Sequence, residues 1–389
     1  MSRTLNNKLR KIRARRQALF LVTGCIMIAL VIGLVFAFTP TSSPREEEPV
    51  RTYSYQPYAS SHGEAEALEE PAVLSLGIGG DVCLGLEVAD LVQGEDSGYL
   101  WTEVSDLFDG YDLVAVNLES PLCRYSEPHE DQLSVHIRGD DDCASPMAEA
   151  GVDAVCLAND HIMDFGSQGL EETLNALRSE EIGSYGAGPS ASMASKPLIE
   201  EGDNGASVAL LAFCDVAPAS YAAGEDSPGL AAASSEEMAS AVDDAGMEAD
   251  YVAVILHWGD MGSNVVTDRQ RELAHTCVEA GADLVAGCHP HVIQGLEVWQ
   301  GVPIIYSLGN LVYYSQGEEG KSGLFAGCYF EDGSLASLEL IPMRIEGAKP
   351  AQASGDEAQL ILQEMAALCP EADVEISSDS DKAYLYLGR

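Results

Sequence analysis

The sequence contains six short apolar runs, each followed by polar residues of the types that bind metal ions. Runs of this length, several of them separated by segments with helical spacing, predict buried strands of an α/β fold. Binding sites in open α/β sheets form beyond the carboxyl ends of the strands. One shared site explains the pattern better than six unrelated occurrences. The residues at the ends of the runs are Asp81, Asn117 with Glu119, Asp160 with His161, His257, His289 with His291, and Asn310.

The loop after the apolar run 284–286 contains two histidines separated by one proline. If the backbone stays extended, side chains two residues apart point the same way, so His289 and His291 converge on one point. Pro290 favours this because it restricts its own φ and disfavours helical geometry at the residue before it. Two imidazoles at one point suit zinc, manganese or iron. A surface loop with two incidental histidines is the alternative.

A second specific group, Asn159-Asp160-His161, precedes an amphipathic helix predicted at 168–178. It places a hard oxygen ligand beside a potential proton donor. Taken alone, the other groups have ordinary structural explanations. A single histidine such as His257 at the end of a buried strand, for example, is more often structural than a ligand. Their occurrence together is what indicates a site.

The first 38 residues contain no acidic residue. Seven Lys and Arg lie between Arg3 and Arg16, and 18–38 is an uncharged apolar stretch. As a helix this stretch would be about 31 Å long, enough to cross a bilayer. We therefore expect a cytoplasmic basic segment at 1–17, a transmembrane helix at 18–38 and a flexible linker at 39–71, with the main domain outside the cell membrane. A cleaved signal peptide is the alternative, but no small-x-small site follows.

The part of the chain after residue 38 is strongly acidic. It contains all 63 Asp and Glu but only 13 of the 20 Lys and Arg, a net charge of about −50. Such a charge repels nucleic acid and argues against a nucleic-acid partner. It also repels an anionic polymer unless a metal centre or a basic patch compensates. Nine of the ten cysteines lie in this part, and their odd number and irregular spacing predict mostly free, buried thiols.

The ordered set of motifs resembles the bacterial capsule synthesis family of the CapA, poly-γ-glutamate type, whose fold is like that of the calcineurin-like metallophosphatases. The resemblance extends over about residues 72 to 345 in unbroken order. The matching motifs are Gly80-Asp81-Val82, Asn117 to Pro121, Ala158 to His161 with Asp164 to Gly166, His257-Trp258-Gly259, Gly281 to Val285, His289 to Val292, and Tyr306 to Asn310.

The resemblance implies a layered α/β sandwich of the calcineurin-like metallophosphatase type at 72–345, with 346–389 as an extension packing on the same domain. It also implies a role at the outer membrane surface in making, exporting, anchoring or trimming an anionic polymer such as poly-γ-glutamate, together with other capsule synthesis membrane proteins.

Two residues depart from the family. Asp160 replaces a usual Asn and adds a negative charge. Cys288 replaces a usual His: as a ligand it would bind as a thiolate and favour zinc, and otherwise it would change little.

We interpret the chain as a hydrolase or transferase that uses one or two divalent ions (Mn, Zn or Fe) on a phosphoester or γ-glutamyl amide. The candidate residues are Asp81, Glu119, Asp160, His257, His289 and His291 as metal ligands, His161 and Asn117 as catalytic residues, and Asn159, Asn310 and Cys288 as residues that support the ligands or contact substrate.

A non-catalytic subunit that binds polymer or partner enzymes is the first alternative. A phosphatase or nucleotidase acting on small phosphoesters is another, which follows from the fold alone. The chain has no P-loop, which argues against an ATP-driven ligase step.

Overall fold

The computed structural model describes residues 73–92, 97–129, 135–369, 375–377 and 381–387. The predicted basic segment, transmembrane helix and linker lie outside these residues. Within the described ranges, no helix is long and apolar enough to span a membrane. The nine cysteines of the described part are all buried, and none of them forms a disulfide.

The strands and helices of the described residues follow in chain order. The strands are β1 (Leu74–Val82), β2 (Leu113–Leu118), β3 (Ala154–Cys156), β4 (Gly183–Tyr185), β5 (Ala187–Gly188), β6 (Leu198–Glu201), β7 (Ser207–Cys214), β8 (Gly229–Leu230), β9 (Tyr251–His257), β10 (Leu284–Cys288), β11 (Leu296–Trp299), β12 (Val302–Ile305), β13 (Asn310–Val312), β14 (Ser322–Glu331), β15 (Ser334–Glu346), β16 (Lys349–Gln352), β17 (Glu375–Ile376) and β18 (Ala383–Tyr386). The α-helices are α1 (Glu87–Val92), α2 (Ser105–Phe108), α3 (Ala144–Glu149), α4 (Gly166–Ser179), α5 (Ala191–Ala194), α6 (Ser235–Ala245), α7 (Asp268–Glu279) and α8 (Gly355–Ala367).

Two large sheets form the centre of the described part. The first has the order β17-β18-β15-β14-β1-β2-β3-β4, with β13 beside β1 and β16 beside β15. The second has the order β11-β12-β10-β9-β7-β6. In the first sheet β1, β2, β3 and β4 are parallel, whereas β14 is antiparallel to β1. In the second sheet the central strands β12, β10, β9 and β7 are parallel. Helices connect several of the parallel strands.

The central strands β7, β9 and β10 of the second sheet are buried on both faces, which explains why they are continuous apolar runs. In β7, Val208, Leu210 and Ala212 pack in the hydrophobic cluster shared with the first sheet. The residues that alternate with them pack in a second cluster with α6 and α7. The structure is therefore a layered mixed α/β fold, in which one sheet packs on the other and helices cover the outside.

The apolar run before Asn310, which predicts one strand from Val302 to Leu308, is divided in the structure. β12 ends at Ile305, and the chain then crosses to the first sheet, where Asn310 begins β13 beside Asp81 of β1. Gly309 has a φ of +68°, a conformation that glycine adopts without steric cost. The prediction of one strand as far as Leu308 is therefore wrong, because the sequence pattern does not show the crossing.

The C-terminal part extends the first sheet. β14 and β15 form an antiparallel hairpin whose turn residues, Asp332 and Gly333, both have positive φ, as a type I′ turn requires. β16 and β18 pair with β15, and α8 packs against it. The described residues after 346 thus add strands to the first sheet and a helix beside it.

Four aspartates at the amino ends of parallel strands connect each strand to its neighbour. Each carboxylate accepts the backbone N–H of the residue that begins the adjacent strand or stands next to its first residue. We call them the amino-edge aspartates, and their bonds are Asp112 to Ser75 (2.7 Å), Asp153 to Val114 (2.7 Å), Asp250 to Ser207 (2.9 Å) and Asp283 to Val252 (2.9 Å). They lie at the sheet edge opposite the candidate metal ligands.

Asp283, one of the amino-edge aspartates, allows a test of how burial at this edge affects stability. Burial raises the pKa of Asp283 from 3.8 to about 6. Because the folded-state pKa is raised, the folded protein loses stability as pH rises through this range and the carboxyl ionises. We expect Asp283→Asn to increase the free energy of unfolding by about 1 kcal/mol near neutral pH, after allowance for partial exposure, and to have no effect below about pH 4. Urea unfolding at several pH values measures this.

The matched control is Asp250→Asn. The hydrogen bonds from Ser207 lower the pKa of Asp250, so its charge stabilises the fold above the ordinary pKa. We therefore expect this variant to be less stable than the wild type near neutral pH, the opposite sign. If Asp283→Asn is also less stable there, burial is not the dominant effect at Asp283.

Candidate metal centre

The candidate ligands meet between the carboxyl ends of the two sheets. The first sheet and its loops contribute the carboxylates Asp81, Glu119 and Asp160, and the second contributes the imidazoles His257, His289 and His291. Asp81 lies inside β1, whose pairing continues to Val82, and not just past its end as the sequence predicts. All the predicted ligands are nevertheless brought together at one place.

Four of these residues form the first ligand group: Glu119, Asp160, His257 and His289. The Nε2 atom of His257 lies 2.9 Å from Asp160 Oδ1, 3.1 Å from His289 Nδ1 and 3.7 Å from Glu119 Oε1. One ligand atom from each residue lies within 4.8 Å of the others. Four nitrogen and oxygen atoms at this spacing can surround one divalent cation.

Asp81, Glu119 and His291 form the second ligand group. His291 Nδ1 is 3.2 Å from Asp81 Oδ2, and its Nε2 is 3.5 Å from Glu119 Oε1. Glu119 belongs to both groups. The geometry therefore offers two adjacent ion positions that share one carboxylate.

The electrostatics of Glu119 show that the residues fit a metal ion. Burial raises its pKa well above the ordinary value, and the charges of Asp81 and Asp160 raise it further. Its Oε2 atom is buried and has no hydrogen-bond partner among the described residues. A buried carboxylate oxygen without a partner is costly. A divalent cation at this position would provide the partner and offset the repulsion between the carboxylates.

The other ligands differ in their preferred protonation. Burial lowers the pKa of His289 to about 4, with repulsion from His257 adding to it, so the ring is neutral at pH 7 and can bind a metal. Burial also lowers the pKa of His291, but the hydrogen bond and charge of Asp81 outweigh it and raise the value overall. Burial raises the pKa of both Asp81 and Asp160. The contact of Asp81 with His291 and that of Asp160 with His257 outweigh this effect, so both pKa values are below the ordinary value.

The backbone between the two histidines is not extended, and the expectation that they converge on one point is wrong. His289 and His291 have φ values of +95° and +57°, and their ring centroids are 6.0 Å apart. Residues other than glycine adopt this conformation only when tertiary contacts hold it. Here the N–H of His289 donates to Asp81 Oδ2 at 3.1 Å. Each histidine consequently belongs to a different ligand group.

Two buried asparagines orient the ligands. Asn117 Nδ2 donates to Asp81 Oδ1 at 2.7 Å and lies 3.2 Å from His257 Nδ1. Asn159 Nδ2 donates to the carbonyl of Leu118 at 2.8 Å and to Asn117 Oδ1 at 3.2 Å. Partners of this kind fix the direction of metal-binding side chains. Asn117, a candidate catalytic residue from the sequence, is thus placed behind the ligands.

Asn310 and Cys288 also lie beside the two groups. Asn310 Oδ1 is 2.9 Å from His291 Nδ1, and its Nδ2 donates to the carbonyl of Gly320 at 2.9 Å. Cys288 ends β10, fully buried, and is in neither ligand group. Burial raises the pKa of its thiol, and the charge of Asp81 raises it further. Because Cys288 belongs to neither ligand group, the structure favours the alternative in which Cys288 stays outside the metal shell.

Two residues near the site are not among the candidate site residues from the sequence, although one of them, Asp164, belongs to a matching motif. Asp164 is fully buried and its Oδ2 lies 2.8 Å from His161 Nδ1. The Tyr313 ring lies 4.6 Å from the His291 ring, and burial together with the charge of Glu119 raises the pKa of its hydroxyl. The available signals were weak: Asp164 stands three residues after His161, and Tyr313 three after Asn310.

The fold and the site define a layered α/β protein with a candidate two-ion centre between its sheets. Residues 75–315 match the family described as bacterial capsule synthesis protein PGA_cap. The PGA biosynthesis protein CapA of Bacillus subtilis (strain 168) is 30% identical over 331 residues, which cover 85% of this chain and 83% of that protein. The capsule biosynthesis protein CapA of Bacillus anthracis is 29% identical, over 71% of this chain and 69% of that protein.

The chain therefore belongs to the PGA_cap family of bacterial capsule synthesis proteins. Among solved structures, the NAD nucleotidase NadN of Haemophilus influenzae is similar with a TM-score of 0.40 and 15% identity. The match covers 76% of this chain and 56% of that one.

Proposed function

We propose that this protein is a divalent-metal-dependent hydrolase or transferase of capsule or poly-γ-glutamate biosynthesis, acting on an anionic cell-surface polymer or a phosphoester. The observation that carries the proposal is Glu119, which is shared by both ligand groups and has a buried oxygen without a partner in the described part. The names of the two CapA relatives support the polymer. We also propose that the two packed sheets are of the calcineurin-like metallophosphatase type, because the ligands follow the parallel strands of both.

The candidate residues have separate tasks in this proposal. The chemistry that bound ions supply is a lower pKa for a bound water and polarisation of a phosphoryl or amide carbonyl oxygen. Asn117 holds Asp81 and His257 in place. His161, next to Asp160, donates a proton to the leaving group.

Charge explains how an acidic protein binds an anionic polymer. The two ligand groups contain three carboxylates, Asp81, Glu119 and Asp160. With all three ionised, one divalent ion leaves the centre negative, whereas two make it positive. An anionic substrate is therefore attracted to the centre only when both positions are filled.

We propose a single-pass location in the cell membrane, with the N-terminus in the cytoplasm and the domain outside. Support comes from the basic residues between Arg3 and Arg16 and from the uncharged stretch 18–38 that follows. This location would bring the domain close to the polymer and to other capsule synthesis membrane proteins.

The alternative function is a non-catalytic subunit that binds polymer or serves as a scaffold in a capsule synthesis complex. Asp160 and Cys288 favour it, since both differ from the usual residues of the family. Asp160 nevertheless lies inside the first ligand group, which is why we prefer the hydrolase or transferase.

Elemental analysis of the full-length protein tests the proposal. We expect one or two equivalents of Mn, Zn or Fe in the wild type and loss of at least one in Asp81→Ala, with turnover of bis(4-nitrophenyl) phosphate or poly-γ-glutamate lost as well. Asp260→Ala is the matched control, because Asp260 is exposed in the loop after His257 and lies outside both groups.

Two results would contradict the proposal. One is turnover that persists in Asp81→Ala after the metal is lost. The other is the absence of metal from the wild type after attempted reconstitution, which leaves the binding subunit as the better account.

A further inference from the structure

Arg138 is a cationic side chain without an acidic partner in the described part of a strongly acidic protein. Seven of the ten Lys and Arg in the described ranges form an ion pair with Asp or Glu. The exceptions within these ranges are Arg138, Arg178 and Lys196. Three aspartates follow Arg138 at 140–142, yet the nearest ion pair is that of Asp141 with Arg124, at 2.7 Å.

The guanidinium of Arg138 is held in place beside the start of α4. Its Nη1 atom donates to the carbonyl of Arg124 at 3.0 Å and to that of Tyr125 at 3.5 Å. Its Cζ atom lies 5.8 Å from the centroid of the Phe165 ring, within the range of a cation–π interaction. Phe165 is itself buried and is the N-cap residue of α4. The fold therefore positions this charge.

One side of the guanidinium has no acceptor among the described residues. An arginine has five N–H donors, and the Nε and Nη2 atoms carry three of them in a planar fork that fits a carboxylate bidentately. In Arg269 the same two atoms donate to Asp215, at 3.2 and 3.1 Å. In Arg138, which is partly exposed, neither atom donates to a residue of the described part. This fork is the part that can bind an anionic ligand.

The position of Arg138 relates it to the candidate metal centre. The N–H of Ile137, the residue before it, donates to Asp164 Oδ2 at 2.6 Å. The same oxygen lies 2.8 Å from Nδ1 of His161, which follows the ligand Asp160 in the chain. Arg138 thus lies outside the ligand groups, next to the loop that contributes one of their carboxylates. A substrate unit beside the reacting one could reach it.

We propose that Arg138 determines specificity by binding a carboxylate of an anionic polymer, on a unit next to the one at the metal centre. The inference rests on the proposed function and names its substrate as a polycarboxylate. The surplus of acidic residues repels such a polymer. A guanidinium that no described carboxylate neutralises provides local attraction at the place where the chain of substrate units continues.

The first test measures binding and does not need turnover. A fluorescein-labelled γ-glutamate oligomer is titrated with metal-loaded full-length protein, and its fluorescence anisotropy gives Kd. We expect Arg138→Gln to raise Kd about tenfold, because a charge-assisted bidentate contact is lost.

Arg178→Gln is the matched control for this titration. It removes the same charge from an exposed arginine that also lacks a described acidic partner, so the net charge of the two variants is equal. Arg178 lies in the last turn of α4, about 20 Å along the helix axis from Phe165. We expect its Kd to equal that of the wild type.

The second test separates recognition from structural support. We expect Arg138→Gln to lower the ratio of kcat/KM for poly-γ-glutamate to kcat/KM for bis(4-nitrophenyl) phosphate about tenfold, because the ester has no second anionic group. Arg138→Lys keeps the charge but not the fork, so its loss should be smaller and still measurable. A merely structural role would impair both substrates equally and leave the ratio unchanged.

The outcomes distinguish this inference from the proposed function. Equal Kd values for the wild type and Arg138→Gln, or an equal loss in Arg178→Gln, overturn the role of Arg138. A wild type that binds no oligomer also overturns it, although ester turnover would still support a hydrolase. If the wild type binds the oligomer but cleaves nothing, the hydrolase is in error, and a selective loss in Arg138→Gln still supports the role. If Arg138→Gln does not fold, Arg138→Lys decides: weaker binding supports the role, and unchanged binding overturns it.

Discussion

Replacing Glu119 with glutamine is expected to weaken both ion positions at once. Glu119 is the one residue that the two ligand groups share, and glutamine keeps its shape while removing the charge. We expect metal affinity to fall at least about 100-fold at both positions, since loss of a direct ligand exceeds the 10- to 100-fold effect of losing a supporting contact. Isothermal titration with Mn²⁺ or Zn²⁺ measures the affinity and the number of ions.

Single-group variants make this result specific. His289→Ala should weaken only the first position and His291→Ala only the second, because each histidine belongs to one group. Glu339→Gln is the matched control, since Glu339 is also buried but contacts Lys382 and Tyr111, away from both groups. One ion still bound with wild-type affinity in Glu119→Gln would show that the carboxylate is not shared.

The same substitution should stabilise the metal-free protein. The pKa of Glu119 is raised, so its ionisation destabilises the folded state as pH increases. Glutamine has no charge to ionise. Glu119→Gln without metal should therefore melt at a higher temperature than metal-free wild type near pH 7, although it gains little from added metal. A purely structural glutamate would produce the opposite shift.

Metal removal is expected to lower the melting temperature, and by more at higher pH. The raised pKa of Glu119 and of His291 means that metal must displace protons, so affinity increases as pH rises. His289, whose pKa is lowered to about 4, adds no such dependence above about pH 5. At a metal concentration of 100 times Kd, the stabilisation is about 2.7 kcal/mol, or roughly 4 °C for a domain of about 315 residues.

Thermal melts from about pH 5.5 to about pH 8, with buffered Mn²⁺ or Zn²⁺ and with a chelator, measure this difference at constant free metal. In the wild type, the increase in melting temperature caused by the metal should become larger as the pH rises. It should stay small in Glu119→Gln. A gain that is constant or that falls with pH would show that no proton leaves these groups when metal binds.

The sequence predicts the main strands and the polar residues that follow them, because both are local signals. An apolar run followed by Asp, Asn or His is visible in the chain, and parallel strands bring such residues to one edge. The assignment of strands to two sheets is not visible, because the pattern shows burial but not the neighbour. The crossing between Ile305 and Asn310 was missed for this reason.

The details of the site depend on tertiary contacts that no local pattern reveals. The positive φ of His289 accompanies a bond to Asp81, which is more than two hundred positions earlier in the chain. Asp164 was matched as part of a motif, but its contact with Tyr221 joins segments that only the fold brings together. Residue types were thus predictable, whereas their backbone conformations and partners were not.

The buried cysteines affect how this protein can be denatured. Burial raises the pKa of thiols such as Cys83 and Cys277, to about 11 and about 12, which keeps them protonated and unreactive in the folded state. Unfolding would expose all nine described thiols at once and restore their ordinary acidity. Under oxidising conditions, refolding after each unfolding event would then compete with random cross-linking, so the lifetime of the protein would depend on its unfolding rate and not on its equilibrium stability.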